Sequence, residues 1–139
     1  MNRMGQCSIL YVTSCADNNR LRELRDLGFH VDASEEIPPN EAFAQYHAVI
    51  VHAQSDCHLP MLAARLRAKP KFGRRVLLAL VTETLAEREK REVILSGFDE
   101  TLPAGCGVRD LAAAILRLLR PYPEYRCILR SPTGRRKAA

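Results

Sequence analysis

The stretch His47-Ala48-Val49-Ile50-Val51-His52 decides the fold of this 139-residue chain. Its centre, Ala48 to Val51, is short, apolar and β-branched, and a polar, turn-prone run, Ala53-Gln54-Ser55-Asp56-Cys57-His58, follows it. An apolar run of this length is typical of a strand that is buried on both faces of a parallel sheet. The loops that leave the carboxyl ends of such strands build the functional site. His52, where this strand ends, is therefore the first candidate site residue.

Four more strands alternate with helices along the chain. Strands are predicted at 8–12, 29–33, 76–81 and 101–102, and helices at 19–27, 40–45, 59–68, 85–95 and 107–120. Strict alternation at this spacing implies parallel strands that are joined by right-handed crossovers. The sequence therefore predicts one α/β domain built on a doubly wound, five-stranded parallel sheet. Prolines 121 and 123 end the last helix, so we expect this domain to span 1–120 and a basic C-terminal extension to span 121–139.

Composition and cysteine usage indicate the compartment. No apolar run approaches the roughly 18 residues of a membrane span, and the start of the chain lacks the apolar core of a signal peptide. The cysteines are odd in number, contain no CxxC pair, and are Cys7, Cys15, Cys57, Cys106 and Cys127. Reduced thiols that pack as small hydrophobic side chains have this pattern. We therefore expect a soluble, cytoplasmic protein that does not bind a membrane.

Basic charge is concentrated in two segments. Residues 117–139 hold seven basic residues against one acid, so the other 116 residues, with 14 basic and 15 acidic side chains, are close to neutral. The second segment, 65–75, holds six basic residues and no acid. A charged loop of this kind is most often solvated surface. We expect it to lie at the amino edge of the sheet, away from the site.

Two segments of the chain resemble response-regulator receiver domains, the family of the chemotaxis protein CheY. One is Leu62-Ala63-Ala64-Arg65-Leu66-Arg67-Ala68-Lys69-Pro70, and the other runs from Ala86-Glu87-Arg88 to Ser96-Gly97-Phe98-Asp99-Glu100. The second segment is similar to the fourth helix of the family and to the signature before its fifth strand. The resemblance covers about residues 8–120 and implies a flavodoxin-like, CheY-like (βα)5 fold with strand order 2-1-3-4-5.

The resemblance also implies where the chemistry of the family would take place. A receiver accepts a phosphoryl group from a histidine kinase on an aspartate after strand three, and an acidic pair after strand one holds magnesium. A hydroxyl residue after strand four and a lysine after strand five contact the phosphoryl group, and strand five carries a switch aromatic. On this chain these positions fall on His52 (acceptor), Thr13 and Ser14 (acidic pair), Val81 with Thr82 one place later (hydroxyl), Ala104 (lysine) and Thr101 (aromatic).

Each difference from the family removes a physical requirement of phosphotransfer. Magnesium binds hard oxygen ligands and at least one or two carboxylates, whereas Thr13 and Ser14 offer neutral hydroxyl groups. Asp17 and Asp56 lie in loops at the same edge and could rebuild an acidic pocket off register, but a helix cap and a solvated loop residue are their simpler roles. We therefore predict a degenerate receiver, or pseudo-receiver, that is not an enzyme and needs no cofactor.

Cysteines and histidines in the same loops raise the alternative of a metal site. Thiolate and imidazole are zinc ligands, and the carboxyl ends of strands one, three and five converge in this fold. The residues do not have a standard ligand spacing, and no pair of them shares a helical face, so we expect packed thiols and no metal. The residues of this alternative are Cys15, His52, Cys57, His58 and Cys106.

The basic extension has three interpretations. It is a solvated end, a nonspecific contact for nucleic-acid phosphates, or a site for an anionic nucleotide such as cyclic di-GMP, which guanidinium groups bind bidentately. The resemblance adds that some CheY-like proteins use arginine-rich C-terminal extensions in the last way. The side chains that would take part are Arg126, Arg130, Arg135, Arg136 and Lys137.

These observations together predict a phosphorylation-independent signalling or adaptor domain of a bacterial two-component pathway that acts by protein–protein contact. The resemblance implies that a protein partner, or a second copy of the chain in a homodimer, binds the face of the fourth helix, fifth strand and fifth helix. On this chain that face carries Glu87, Glu89, Lys90, Arg91, Thr101, Arg109 and Leu116. The alternative function is a sensor that binds an anionic nucleotide or a nucleic acid through the arginine-rich C-terminus.

Overall fold

Five parallel strands alternate with helices in the computed structural model, which describes residues 7–13, 18–55, 58–73 and 75–122. The strands are Ser8–Val12 (β1), His30–Ser34 (β2), Ala48–Ala53 (β3), Val76–Val81 (β4) and Glu100–Pro103 (β5). The α-helices are Asn18–Asp26 (α1), Leu59–Arg67 (α2), Glu87–Ser96 (α3) and Val108–Leu119 (α4). A 3-10 helix, Asn40–Gln45, takes the second helix position, so α3 and α4 are the fourth and fifth helices of the predicted fold.

The sheet has the order β2-β1-β3-β4-β5, and every neighbouring pair is parallel, which confirms the predicted fold class and strand order. β3 is the middle strand, and its residues from Ala48 to Val51 are buried. His52 lies opposite Leu80 and Ala53 opposite Val81, so β3 and β4 end in register. This register brings the residues that follow both strands to one edge, the carboxyl edge, while the strands begin at the opposite, amino edge.

Successive side chains of each strand enter two separate cores, because side chains alternate between the two faces of a sheet. Ile9 and Tyr11 of β1 pack with α1 and α4. Leu10 and Val12 pack on the other face with α2, α3 and the 3-10 helix. All six residues of β4 are buried, and burial of each leucine among them contributes about 1.5–3 kcal/mol. None of the described helices is long and apolar enough to cross a membrane.

A proline pair precedes the short 3-10 helix in the crossover from β2 to β3. Pro38-Pro39 fixes an extended entry, and six helical residues follow before the chain turns into β3. The helix contributes one large apolar anchor, because the buried ring of Phe43 meets the ring of Phe72 edge-to-face, with 5.2 Å between the centroids. Just after it, the Tyr46 hydroxyl donates a hydrogen bond of 2.7 Å to Asp32 of β2.

Arg67, the last residue of α2, joins several elements at the amino edge. Its guanidinium donates hydrogen bonds to the carbonyl oxygens of Gly97 and Arg75, at 2.9 Å each, and to Asp99 Oδ2 at 3.0 Å. The same Asp99 oxygen accepts the backbone N–H of Leu77 in β4 at 2.8 Å. Because the guanidinium is a planar fork of donors, one side chain orders the ends of α2 and α3 and the starts of β4 and β5.

Arg75 is the second structural arginine of the basic segment 65–75. Its Nε donates hydrogen bonds to the carbonyl oxygens of Phe43 and Tyr46, at 3.0 Å each, and so caps the 3-10 helix. The expectation that this segment is solvated surface is therefore wrong for Arg75 and for Arg67. The guanidinium groups of both side chains donate hydrogen bonds mainly to backbone carbonyl groups of other elements.

Gly97 ends α3 in a backbone conformation that other residues rarely adopt. Its φ is +135°, and a side chain at this position would meet Arg67 and Ala63 of α2 at 3.2 and 3.3 Å. The helix predicted at 85–95 ends at Ser96, with Gly97 as its C-cap. Glycine is required here for two reasons, the positive φ and the close approach of α2.

His47 connects the start of β3 to β1. Its Nδ1 accepts the backbone N–H of Ser8 at 2.9 Å, and its own backbone N–H donates to the Ser8 carbonyl oxygen at 2.8 Å. Burial lowers the pKa of His47 below the ordinary value of 6.5, and the positive charge of Arg75 lowers it further. Because Nδ1 is the acceptor, this geometry requires a neutral imidazole.

We predict that Arg67→Ala lowers the free energy of unfolding by about 2 kcal/mol, because it leaves Asp99 without its cation and two carbonyl groups without a donor. Arg67→Lys should restore only part of this loss, since an ammonium group does not match the planar fork. The matched control is Arg65→Ala on the exposed side of α2, for which urea unfolding should show a change within about 0.5 kcal/mol. Equal losses for the two alanine variants would contradict the role of Arg67.

We predict that the folded state loses stability as the pH falls below 6.5. A lowered pKa in the folded state means that the unfolded chain binds a proton first, so the stability present above the ordinary pKa is lost on acidification. His47→Asn keeps an oxygen acceptor for the Ser8 N–H and does not titrate. Thermal melts between about pH 7.5 and 5 should therefore show a smaller decrease in Tm for this variant. An unchanged decrease would exclude His47 as the titrating group.

Candidate functional site

The ends of β1, β3 and β4 bring three of the predicted site residues to the carboxyl edge. The backbone N–H of Thr82 donates to the Ala53 carbonyl oxygen at 2.9 Å, which extends the β3–β4 pairing beyond the end of β4 and sets Thr82 beside His52. On the other side of β3, the N–H of Thr13 donates to the carbonyl oxygen of Ser34 at 2.9 Å. The same parallel pairing therefore positions residues from three separate loops.

The His52 imidazole lies between two hydroxyl groups. Its Nδ1 is 3.5 Å from Tyr11 Oη, and its Nε2 is 3.4 Å from Thr82 Oγ1. The Tyr11 ring is fully buried and meets the imidazole at a right angle, with 6.3 Å between the ring centroids. In a neutral imidazole one nitrogen donates and the other accepts, so the two hydroxyl groups take opposite roles toward the ring. These contacts orient a half-buried histidine at the position that the resemblance predicts for the phosphoacceptor.

The other described positions of the receiver pocket carry no charge. Thr13 is only 5% exposed. Val81, the position aligned with the family hydroxyl, has an apolar side chain in the core, and the hydroxyl group that contacts His52 belongs to the next residue, Thr82. Ala104 is held in place by its N–H, which donates to the Val81 carbonyl oxygen at 2.9 Å. The described pocket positions thus offer hydroxyl, imidazole and methyl groups. Three residues of the predicted pocket and its off-register alternative, Ser14, Asp17 and Asp56, lie outside the described residues.

Arg20 brings a positive charge to this edge that was not predicted from the sequence. From α1, its guanidinium donates hydrogen bonds to the carbonyl oxygens of Ala104 and Cys106, at 2.6 and 3.0 Å. The side chain therefore holds the loop between β5 and α4 against α1, beside Ala104, the predicted lysine position. Both acceptors are backbone atoms more than 80 residues away, so no side-chain pattern in the sequence indicated this contact.

The described residues do not form the alternative metal site. Within the described ranges, no group of three histidine, cysteine, aspartate or glutamate side chains could hold a metal ion. Burial raises the pKa of the Cys106 thiol, with a smaller opposing effect of Arg20, whereas zinc binds thiolate. His58 is exposed just before α2. The remaining two residues of that hypothesis, Cys15 and Cys57, lie outside the residues that the structure describes.

A groove runs along α3 and β5 on the predicted partner face. It has a volume of about 360 Å³ and is lined by Glu87, Lys90, Arg91, Ile94, Leu95, Glu100 and Thr101. A second groove of about 190 Å³ shares Lys90 and Thr101 with the first and continues to Thr82 at the carboxyl edge. The predicted partner face and the predicted pocket are therefore connected along one side of the molecule.

Three of the predicted partner residues lie outside this groove. Arg109 is exposed at the start of α4 but lines neither groove. Leu116 is partly buried against the core beneath α1 and α4. Glu89 caps α3, because its carboxylate accepts the backbone N–H of Ala86 at 2.8 Å.

Two apolar residues of the same face were missed by the sequence reasoning. Ile94 is 44% exposed and Leu95 is 79% exposed, and both line the larger groove. The available signal was the run Val93-Ile94-Leu95. Three consecutive helical residues point in different directions, so a helix that packs on one sheet face cannot bury all of them.

The predicted anion-binding residues all follow the last residue that the structure describes. α4 ends at Leu119, and Tyr122 is the last described residue. The division into a domain of residues 1–120 and an extension of residues 121–139 therefore stays a prediction. The residues that lie outside the description are Arg126, Arg130, Arg135, Arg136 and Lys137.

No protein-family model matches this chain, and no curated protein matches it. Among solved structures, an orphan response regulator of H. pylori is 20% identical, with a TM-score of 0.64 over 82% of this chain and 97% of that chain. The chain has a receiver fold. An atypical orphan response regulator, whose structure revealed a new phosphorylation-independent regulatory mechanism, is 19% identical, with a TM-score of 0.65 over 81% of this chain and 95% of its own.

A third solved structure with this fold matches the full length of the chain. The CheY-like protein tadZ of Pseudomonas aeruginosa PAO1 is 14% identical, with a TM-score of 0.58 over 100% of this chain and 99% of that chain. At identities of 20% or less these similarities establish the fold, and the activity has to be argued from the site residues themselves.

Proposed function

We propose that this receiver-fold chain is a signalling or adaptor domain that works without aspartyl phosphorylation and acts by protein–protein contact. The observation that carries the proposal is the carboxyl edge, where Thr13, His52 and Ala104 occupy the aligned positions of a metal ligand, the phosphoacceptor and the lysine. A phosphoryl group carries nearly two negative charges at neutral pH, and magnesium requires carboxylate ligands. These hydroxyl, imidazole and methyl groups supply no metal site, and the nearby Arg20 guanidinium already donates hydrogen bonds to the carbonyl oxygens of Ala104 and Cys106.

Two proteins of the same fold support this proposal. Both are orphan response regulators, and the structure of one of them revealed a phosphorylation-independent regulatory mechanism. Signalling by a receiver fold therefore does not always depend on phosphotransfer. We extend this reasoning to the present chain as a non-enzymatic, cytoplasmic role in a bacterial two-component pathway.

The face of α3 and β5 is the surface that we propose for the partner. Ile94 and Leu95 form a small apolar centre, and Glu87 and Lys90, whose charged atoms are 3.6 Å apart, lie at its rim. Protein interfaces have this arrangement, in which apolar side chains are buried at the centre and charged groups stay hydrated around them. Burial of Leu95 by a partner would contribute up to about 2 kcal/mol, so this residue is the first to test.

We predict that magnesium and beryllofluoride, a phosphoryl analogue, leave the melting temperature unchanged. A ligand at 100 times its Kd stabilises a folded protein by about 2.7 kcal/mol, which is a shift of several degrees in a domain of this size. A receiver with an intact acidic pocket serves as the positive control. A stabilisation that disappears in Asp17→Asn or Asp56→Asn would show that an off-register acid has rebuilt the pocket, and would contradict the proposal.

We predict that Leu95→Glu weakens partner binding at least about tenfold, because it places a charge in the apolar centre of the face. The matched control is Met61→Glu, which changes an exposed apolar residue of α2 that is 66% exposed and outside the groove. Quantitative capture from a lysate of the source organism, with sedimentation velocity to detect a homodimer, measures the effect. Loss of the same complexes in both variants, or in neither, would rule out this face.

A further inference from the structure

The amino edge of the sheet gathers the ends of two helices that carry basic residues. α2 ends there at Arg67, which forms a salt bridge of 3.0 Å with Asp99. The last turn of α4 lies at the same edge, because Arg117 forms a salt bridge with Glu100, the first residue of β5. Two consecutive acids at the start of β5 therefore hold both helix ends at one edge of the sheet.

These two salt bridges neutralise the acids at the start of β5 and leave other positive charges unbalanced. Arg65, Lys71 and Arg120 are exposed, and Lys69 is partly exposed. Within the described part of the chain, none of the four has an ion pair. Residues 57–82 contain no acid at all, so the segment around the end of α2 has no local compensation.

Two further described acids lie beside this surface. The side chain of Asn40 accepts the backbone N–H of Lys71 at 2.9 Å, and the exposed Glu41 follows it in the 3-10 helix. Asp26, the exposed last residue of α1, lies at the same edge, so two carboxylates offset part of the four charges and a smaller positive excess remains. In the sequence after Tyr122, five basic residues stand against one acid.

We propose that the amino edge binds the phosphate backbone of duplex DNA, with Arg65, Lys69, Lys71 and Arg120 as the phosphate contacts. When lysine and arginine neutralise DNA phosphates, condensed counterions are released. The favourable free energy of this release drives binding that does not depend on the DNA sequence. The four residues belong to two helix ends and a loop, and not to one helix face that could enter a major groove. The surface therefore contacts phosphates and reads no bases.

This surface is separate from the proposed partner face. None of the four phosphate-binding residues lines either groove along α3 and β5. A chain that binds a partner through the apolar centre of α3 and DNA through the amino edge would bring the two ligands together. The DNA proposal does not rest on the partner proposal, and it is tested without a partner.

The test is fluorescence anisotropy of the full chain with a labelled duplex of about 20 base pairs over a range of salt concentrations. The test variant is R65Q/K69Q/K71Q, and the control variant R22Q/R88Q/R109Q removes the same charge from exposed positions that lie outside the amino edge and outside both grooves. The slope of log K against log salt falls by about 0.9 for each phosphate contact, so the test variant should lose up to about 2.7 from the slope. The control variant should keep both the slope and the affinity.

Arg120→Gln is a second variant, which removes the phosphate contact at the end of α4 and leaves those of α2 in place. It should lower the slope of log K against log salt by about 0.9. Equal binding by the test and control triple variants would overturn the proposal. So would binding of anionic phospholipid vesicles or cyclic di-GMP with no binding of the duplex at about 50 mM salt, where phosphate contacts are strong. Far-UV circular dichroism of each variant establishes that the substituted surface residues leave the fold intact.

Discussion

The salt bridge between Arg67 and Asp99 is the interaction on which the rest of the structure depends. Asp99 Oδ2 accepts both the Arg67 guanidinium and the N–H of Leu77, while Arg67 also reaches the last carbonyl groups of α3 and of the loop before β4. The pair is partly buried, so its Coulomb energy contributes little net stability. Its main effect is geometric, because one planar guanidinium donates to several acceptors at once. The starts of β4 and β5 are set relative to α2 by this contact, and the opposite ends of the same strands carry the candidate site.

Most of the fold follows from local patterns in the sequence. β3 and β4 were predicted because four to six consecutive apolar residues stand between polar turns. The structural roles of Arg67 and Arg75 could not be predicted in the same way. Most of their acceptors lie about 30 residues away, and all but Asp99 are backbone carbonyl groups, which every residue has. A run of basic residues therefore does not indicate which of them are hydrogen-bonded within the fold.

The same distinction between local patterns and distant contacts applies to the candidate site. The sequence predicted that His52 ends the middle strand and that Thr82 stands one place after the aligned hydroxyl, and the parallel register brings the two side chains together. It did not predict that Tyr11 would contact the imidazole, because a tyrosine inside an apolar strand is most simply a core residue. Arg20 was missed because its partners are carbonyl oxygens of the loop after β5. Charged and polar side chains were predicted best where the backbone pairing alone determines their position.

The short fifth strand has a consequence for how this chain associates with others. β5 is an edge strand of four residues and ends at Pro103, which has no backbone N–H. An edge strand of this length offers few backbone N–H donors to a strand of another molecule. Pairing of β5 with such a strand, which would join two molecules in one sheet, is therefore disfavoured. Any protein that docks beside β5 must therefore recognise side chains and not continue the backbone ladder. The chain can expose a surface for association on this side without presenting a template for aggregation.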